Sequence, residues 1–197
     1  MLNEKLKNYN VILASASPRR HAFLKSMNID FDVQLKPIDE IYPKHLKGTE
    51  ITDYLAKLKA KSLKDHLKPK DILITSDTIV WLEDKAIEKP KDEAEAFGMI
   101  KSLSDKTHEV MTSICFTQSS TQTIVNTITK VTFKALNDEE IWYYVNTYKP
   151  LDKAGAYGIQ EWIGSIAITH IEGSYNNVVG LPTHLLYETL NAIVDGY

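Results

Sequence analysis

The stretch DILITSDTIVWLE (residues 71–83) is strongly apolar except for Ser76, Asp77 and Thr78 at its middle. A short apolar run of this kind is typical of a buried β-strand. Aspartate is depleted in strands, and burial of an unpaired carboxylate costs on the order of several kcal/mol. A strand through Asp77 therefore requires a lysine, a metal or a ligand that stabilises the charge. The alternative is that the strand ends there and Asp77 lies in a loop.

Strand-like and helical segments alternate along the first part of the chain, and a strand pair follows. Other predicted strands are NVILAS (10–15) and FDVQLK (31–36), and 108–118 with 123–136 are predicted to form an antiparallel pair. Predicted helices start after Ser17 and at 49–67 (capped by Thr49), 92–103 (capped by Asp92), 137–148 (capped by Asn137) and 182–194 (begun by Pro182). This order predicts an α/β protein with a mixed twisted sheet and helices on its faces.

Two adjacent arginines, Arg19 and Arg20, are the only arginines in the chain. Ser17 suits an N-cap and Pro18 suits the first helical position, so the arginines fall in the first helical turn. Cations are unfavourable there, because the helix dipole is positive at its N-terminus. A bound anion would offset this cost, since backbone N–H groups and two guanidinium groups would converge on it. The alternative is that both arginines point into solvent.

Composition limits the class of protein. A length of 197 residues predicts one domain, with two lobes around a cleft. A net charge of -3 without a Lys/Arg block argues against a nucleic-acid coat or a membrane-binding patch. The apolar runs are too short to cross a bilayer, and the N-terminal residues lack the apolar stretch of a signal peptide. The single Cys115 is expected in the core, and its lack of a pairing partner favours the cytoplasm.

Two further segments carry candidate binding groups. Lys89 precedes a proline, which restricts its backbone to extended geometry and fixes the direction of its side chain. In DKAGAYGIQ, Gly155 and Gly158 permit close backbone approach, and the Gln160 amide can both donate to and accept from a base edge. Ordinary turns explain the lysine and the glycines about as well.

Several common catalytic patterns are missing from the sequence. No histidine pair has zinc spacing, and neither a phosphate-loop pattern, a Rossmann glycine pattern nor a Gly-x-Ser-x-Gly elbow occurs. The remaining inventory consists of carboxylates such as Glu40 and Asp77, lysines and the arginine pair. This set suits a hard cation together with a polyphosphate.

These segments together resemble the Maf-like nucleoside triphosphate pyrophosphatases over nearly the whole length. LASASPRR is similar to the family's opening motif, and SDTIV with EKP and AEAFGMIKSLSDKTHEVMT resembles its central block. DKAGAYGIQ and GSYNNVVGLP resemble the C-terminal blocks, and the former is similar to the branch that hydrolyses dTTP and UTP. The sequence departs from the family pattern at Ser76, where alanine is usual, and at Glu88 and Glu161, where glycine is common.

The resemblance implies a single domain over residues 1–197 with the Maf and inosine triphosphate pyrophosphatase fold. It also implies roles for individual residues. These are Asp77 as the catalytic carboxylate, Arg19, Thr78 and Gln160 for specificity, Ser15, Arg20, Lys59 and Lys89 for phosphate binding, and Glu40 with Asp77 for the metal. The helix pattern alone predicts that Lys59 lies on a solvated face, whereas the resemblance implies that it lines the cleft.

The implied reaction is hydrolysis of a pyrimidine nucleoside triphosphate to the monophosphate and pyrophosphate, with Mg²⁺ or Mn²⁺ as cofactor. The resemblance also implies a cytoplasmic homodimer that cleans the nucleotide pool. No membrane and no nucleic acid are expected as partners. Two alternatives stay open: a non-catalytic nucleotide-sensing or nucleic-acid-binding regulator of cell division and septum formation, and an enzyme for purine substrates.

Overall fold

The computed structural model describes residues 1–196. Its helices are α1 (Leu2–Leu6), α2 (Pro18–Ser26), α3 (Thr49–Lys64), α4 (Glu93–Leu103), α5 (Asp138–Tyr148), α6 (Trp162–Ala167), α7 (Tyr175–Val179) and α8 (Thr183–Asp195). Its strands are β1 (Asn10–Leu13), β2 (Asp32–Val33), β3 (Asp71–Leu82), β4 (Lys85–Ile87), β5 (Thr107–Thr117), β6 (Gln122–Phe133) and β7 (Ile168–Glu172). A 3₁₀ turn covers Ala154–Ala156. Within the described residues, no helix combines the length and apolarity needed to cross a membrane.

The strands follow the order β2-β1-β3-β5-β6-β7, and β4 pairs with β3. β1 is parallel to β2 and to β3, whereas β4 and β7 are antiparallel to their partners β3 and β6. β5 and β6 are joined by residues 118–121 alone, a connection short enough only for antiparallel strands. The sheet is therefore mixed, and the predicted α/β architecture is confirmed.

The chain divides into two compact units. The first consists of Met1–Asp77, Thr112–Thr127 and Gly180–Tyr197, and the second consists of Thr78–Met111 and Ile128–Val179. The assignment of residues 1–197 to one domain stays a prediction.

In the first unit, helices cover both faces of the parallel strands. Side chains alternate along a strand, so Val11 and Leu13 face one cluster while Ile12 faces another. The first cluster includes residues of α1, α2 and α8, and the second includes Ala56 and Ala60 of α3. Small residues on α3 let this helix approach the sheet closely. Cys115 is fully buried in the second cluster, as predicted.

The second unit has its own apolar core, which contains residues of β3, β5 and β6 together with α4, α5 and α6. Asp92 caps α4 by accepting from the Glu95 N–H at 2.8 Å, and Asn137 caps α5 within a full capping box with Glu140. Both caps agree with the sequence prediction.

Three local predictions were wrong. The sequence predicts a strand at residues 31–36, but β2 is limited to Asp32–Val33. β2 lies at the edge of the sheet, and Leu35, which follows it, is exposed rather than paired in the sheet. α3 is capped by Gly48 rather than Thr49, since the chain enters with a φ of 53°, which favours glycine. Pro182 is the N-cap of α8 and precedes the first helical residue.

Candidate active site

The Asp77 carboxylate is buried in the first unit and paired with a lysine. Asp77 is the last residue of the first segment of that unit and lies within β3, so the loop alternative for this residue is excluded. The Thr75 hydroxyl donates to the Ala56 carbonyl at 2.7 Å, which shows that this face of β3 lies against α3. Asp77 is on the same face, two residues further along. Its Oδ1 accepts from Lys59 Nζ at 2.7 Å, and Lys59 lies one helical turn beyond Ala56.

Lys59 also pairs with a second carboxylate, that of Glu40. Lys59 Nζ lies 3.0 Å from Glu40 Oε1, while the Lys59 side chain is only 18% exposed. Glu40 belongs to the irregular connection between β2 and α3 and is the more exposed of the two acids. One ammonium group therefore holds two carboxylates together. Lys59 does not lie on the solvated face that the helix pattern alone predicts.

Burial raises the pKa of the Asp77 carboxyl above its ordinary value, while Lys59 and Arg20 act in the opposite direction. Desolvation disfavours the charged form of an acid, and the neighbouring cations favour it. The net effect is a carboxylate that accepts a proton more readily than an exposed aspartate does. Such a group is suited to general-base chemistry.

Arg20 is fixed between two backbone carbonyls in the same unit. Its Nη1 donates to the Ser76 carbonyl at 2.8 Å, and its Nε donates to the Gly180 carbonyl at 2.9 Å. Burial lowers the pKa of its guanidinium, and the charges of Asp77 and Glu40 raise it. Arginine nevertheless stays protonated in proteins. A fixed positive charge therefore lies beside Asp77.

The N-terminus of α2 is built as predicted. Ser17 is the N-cap and accepts from the Arg20 N–H at 3.5 Å, and Pro18 occupies the first turn. The hydroxyl of Ser15, a buried residue, accepts from the Ser17 N–H at 3.2 Å. Arg19 is half-buried, and its charge lowers the pKa of Arg20.

His21 supports the same loop and was missed by the sequence reasoning. Its Nε2 lies 2.6 Å from the Ser15 carbonyl, which ties α2 back to the residues that follow β1. The Gly180 carbonyl, a partner of Arg20, was also missed. No sequence pattern marks a carbonyl acceptor, because every residue has one.

Six of the predicted site residues belong to the first unit: Ser15, Arg19, Arg20, Glu40, Lys59 and Asp77. Among them, Lys59 pairs with Glu40 and Asp77, and the charge of Arg20 acts on Asp77. The other three predicted site residues, Thr78, Lys89 and Gln160, belong to the second unit. There Thr78 is half-buried on β3, Lys89 is exposed after β4, and Gln160 is exposed in the turn before α6.

A divalent cation fits the acidic part of the site. The Lys59 ammonium group stands where two carboxylate oxygens converge, and hard divalent cations prefer such oxygen ligands. Residues 1–196 contain no cluster of three or more His, Cys, Asp or Glu side chains placed to hold a metal. Asp77 and Glu40 alone would thus be the protein ligands, and substrate oxygens or water would complete the shell, as is common for Mg²⁺.

Comparison with known proteins gives one consistent family. A family model described as Maf-like protein matches residues 10–193. A protein of Flavobacterium johnsoniae named dTTP/UTP pyrophosphatase is 57% identical over 98% of this chain and 100% of the relative. Proteins of the same name from Christiangramia forsetii and Phocaeicola vulgatus are 54% and 47% identical, over 99% and 96% of this chain and 100% and 99% of the relatives.

The fold also resembles a solved structure with a distant sequence. The Ham1 protein of Staphylococcus aureus matches with a TM-score of 0.52 at 14% identity, covering 93% of this chain and 99% of that protein. At this identity the likeness concerns the fold alone.

Proposed function

The chain belongs to the Maf-like protein family, and we propose that it is a nucleoside triphosphate pyrophosphatase that hydrolyses dTTP and UTP and cleans the nucleotide pool. Relatives of that name align with it over nearly its whole length. Within the structure, the observation that carries the proposal is the buried Asp77 carboxylate, held by Lys59 and flanked by Arg20. A carboxylate flanked by cations in this way is suited to activate water for attack on a phosphate anhydride.

In the proposed reaction, Asp77 acts as the general base. The oxygen of a water molecule forms a bond to the α-phosphorus, and the bond from the α-phosphorus to the α,β-bridging oxygen breaks. Asp77 takes the proton of the water, and pyrophosphate leaves with the electron pair of the broken bond. Burial favours this role, because it raises the pKa of Asp77 and makes the carboxylate a better proton acceptor.

The cations bind the triphosphate and keep it in line. Arg20 supplies a positive charge whose position is fixed by two carbonyls. Arg19, Lys89 and the Ser15 hydroxyl are proposed to bind phosphate oxygens, as the family motifs imply. Positioning and electrostatic stabilisation supply most of the catalysis in reactions of this class.

Asp77 and Glu40 are proposed to hold Mg²⁺ or Mn²⁺. When bound, the metal neutralises phosphate charge and lowers the pKa of water. Lys59 lies between these carboxylates and is proposed to keep both of them ionised and oriented. As the family motifs imply, it is also proposed to bind a phosphate oxygen. Gln160, Thr78 and Arg19 are proposed to discriminate pyrimidine from other bases.

Three further features of the proposal concern the setting of the enzyme. We expect a homodimer in the cytoplasm that has a nucleotide as its substrate and neither nucleic acid nor membrane as a partner. The molar mass in solution, measured by light scattering on a size-exclusion column, checks the oligomeric state.

A panel of nucleotides with Mg²⁺ tests the activity. The parent protein is incubated with dTTP, UTP, dCTP, GTP and ITP, and pyrophosphate and orthophosphate are measured separately. Pyrophosphate from dTTP and UTP is expected. Release from ITP alone would favour the purine enzyme, and tight nucleotide binding without any product would favour the cell-division regulator. The relatives from Flavobacterium johnsoniae, Christiangramia forsetii and Phocaeicola vulgatus are each named dTTP/UTP pyrophosphatase, which gives no support to the regulator.

Asp77→Asn tests the assignment of the base. The variant should fold normally and lose pyrophosphate release, because an amide cannot take the proton. Asp30→Asn is the matched control. Asp30 is exposed, and none of the described ion pairs joins it to Lys59. Normal turnover of dTTP by Asp77→Asn would refute the assignment. Arg19→Lys should also lower activity, because a point charge does not replace a planar guanidinium group.

A further inference from the structure

A tight turn in the second unit presents Gln160. The Glu161 N–H donates to the Gly158 carbonyl at 3.0 Å, which closes a four-residue turn over residues 158–161. Ile159 is buried in the apolar core of this unit and anchors the turn. Gln160 is exposed between Ile159 and Glu161, so its amide is accessible to a ligand.

Tyr144 of α5 holds both ends of this turn through its hydroxyl. The Gly158 N–H donates to the Tyr144 hydroxyl at 3.0 Å, and that hydroxyl in turn donates to Glu161 Oε2. Tyr144 is fully buried, and both burial and Glu161 raise the pKa of its phenol. The hydroxyl therefore keeps its proton at neutral pH and donates it to Glu161.

Glu161 is fixed from its other side by a lysine. Lys153 Nζ lies 3.2 Å from Glu161 Oε1 and 2.7 Å from Asp152 Oδ1, and its side chain is only 10% exposed. A Cβ atom on Gly158 would lie 2.8 Å from Cδ of Glu161, so any larger residue at 158 would displace the carboxylate. Glu161 thus packs against Gly158, the first residue of the turn, and accepts a hydrogen bond from Tyr144, which also binds Gly158.

From these contacts we infer that Tyr144 and Glu161 are positioning residues that fix the turn 158–161 and thereby direct the Gln160 amide towards the nucleobase. The inference rests on the proposed function, because it assumes that Gln160 contacts the base. Neither residue touches the substrate. Their effect is on base recognition rather than on the chemical step.

Tyr144→Phe is the first test. It keeps the ring but leaves the Gly158 N–H and the Glu161 carboxylate without the hydroxyl. The KM for dTTP and UTP should rise roughly tenfold, the equivalent of one lost hydrogen bond in a buried setting, while kcat changes less than about twofold. The preference for dTTP over ITP, as a ratio of kcat/KM values, should fall by a similar factor.

Two substitutions at Glu161 separate positioning from general loss of structure. Glu161→Gln keeps an acceptor oxygen for Tyr144 and should retain most of the parent's selectivity, whereas Glu161→Ala should lose it as Tyr144→Phe does. Tyr143→Phe is the matched control on the same helix. Tyr143 is 51% exposed and its ring packs against Trp162, and none of the described hydrogen bonds joins its hydroxyl to residues 158–161. The KM of Tyr143→Phe should therefore stay at the parent value.

The outcomes distinguish this inference from the proposed function. If the parent releases pyrophosphate from dTTP while Tyr144→Phe and Glu161→Ala both keep its KM and base preference within twofold, the positioning inference is refuted. If the parent releases no pyrophosphate from any nucleotide, the proposed function fails. Calorimetric dTTP binding by the parent and the two variants then decides the inference, and equal affinities refute it. The thermal midpoint of each variant shows whether it is folded.

Discussion

His108 provides a quantitative test of how the second unit is held together. Its side chain is 1% exposed, and its ring meets Phe133 and Tyr157 edge-on at centroid distances of 5.1 and 5.4 Å. Nε2 lies 2.8 Å from the Tyr157 hydroxyl, and Nδ1 is buried without a hydrogen-bond partner among the described residues. Burial lowers the pKa of His108 from 6.5 to about 4.

The sign and size of the pH effect follow from that difference. Between pH 6.5 and about 4 the unfolded chain binds a proton at His108 that the folded chain does not bind. His108 therefore contributes stability that is present above pH 6.5 and is lost as the pH falls towards 4. At about 1.36 kcal/mol per pH unit, the full loss is about 3 kcal/mol, and about 2 kcal/mol of it falls between pH 7 and pH 4.5.

The measurement is the free energy of unfolding in urea at several pH values from 7 to 4.5. His108→Gln cannot titrate, so its stability should decline with acid by about 2 kcal/mol less than that of the parent over this range. The variant is expected to be less stable than the parent at pH 7, since it disturbs the packing with Phe133 and Tyr157. His184→Gln removes an exposed histidine of α8 and should follow the parent. Parallel pH curves for His108→Gln and the parent would show that His108 is not held neutral.

Three other substitutions test the packing and the charge cluster. Lys59→Met should lower kcat/KM for dTTP by about 100-fold or more, because it removes the ammonium group that pairs with Glu40 and Asp77. Lys61 is exposed on the same helix, so kcat/KM of Lys61→Met should stay within about twofold of the parent value. Equal activities of the two variants would contradict the role of the Lys59 ion pairs. Ser76→Ala should raise the free energy of unfolding by about 1 kcal/mol, because the buried Ser76 hydroxyl has no hydrogen-bond partner within residues 1–196, and an unchanged urea midpoint would contradict this. Gly155→Ala should lower that free energy by about 1–3 kcal/mol, because φ is +68° and the new Cβ would lie 2.8 Å from Val80 Cγ2; a thermal midpoint equal to that of the parent would contradict it.

Most of the architecture could be predicted because local signals agreed with one another. The N-caps at Ser17, Asp92 and Asn137 are confirmed, and each is followed by a helix of the expected type. The strand around Asp77 is also confirmed, since a long β-branched run is compatible with one polar residue that finds a partner. The edge strand at residues 31–36 could not be bounded, because its end depends on pairing with β1 rather than on its own composition.

The sequence pattern of α3 is also compatible with a position of Lys59 on the buried face of the helix. Lys59 is four residues after Leu55 and three after Ala56, and both of these residues are buried. Residues at these spacings share a helix face, so Lys59 belongs to the apolar side of α3. A lysine on that side needs an acid, and the chain supplies one within an otherwise apolar strand. The path of the connection that brings Glu40 to the same ammonium group has no comparable signal, because residues 34–48 are irregular.

The structure gives the arginine pair at the start of α2 a more specific explanation than attraction to an anion alone. Arg20 donates to the carbonyls of Ser76 and Gly180, so it connects α2 to β3 and to the residue that begins the last segment of the first unit. These neutral acceptors fix the position of the guanidinium group without cancelling its charge. The charge of Arg20 therefore still acts on Asp77. In the proposed reaction, a phosphate that approaches the carboxylate would meet a cation whose position is already fixed. A cation placed in this way does not have to be ordered when the substrate binds, which is the condition under which electrostatic stabilisation is most effective.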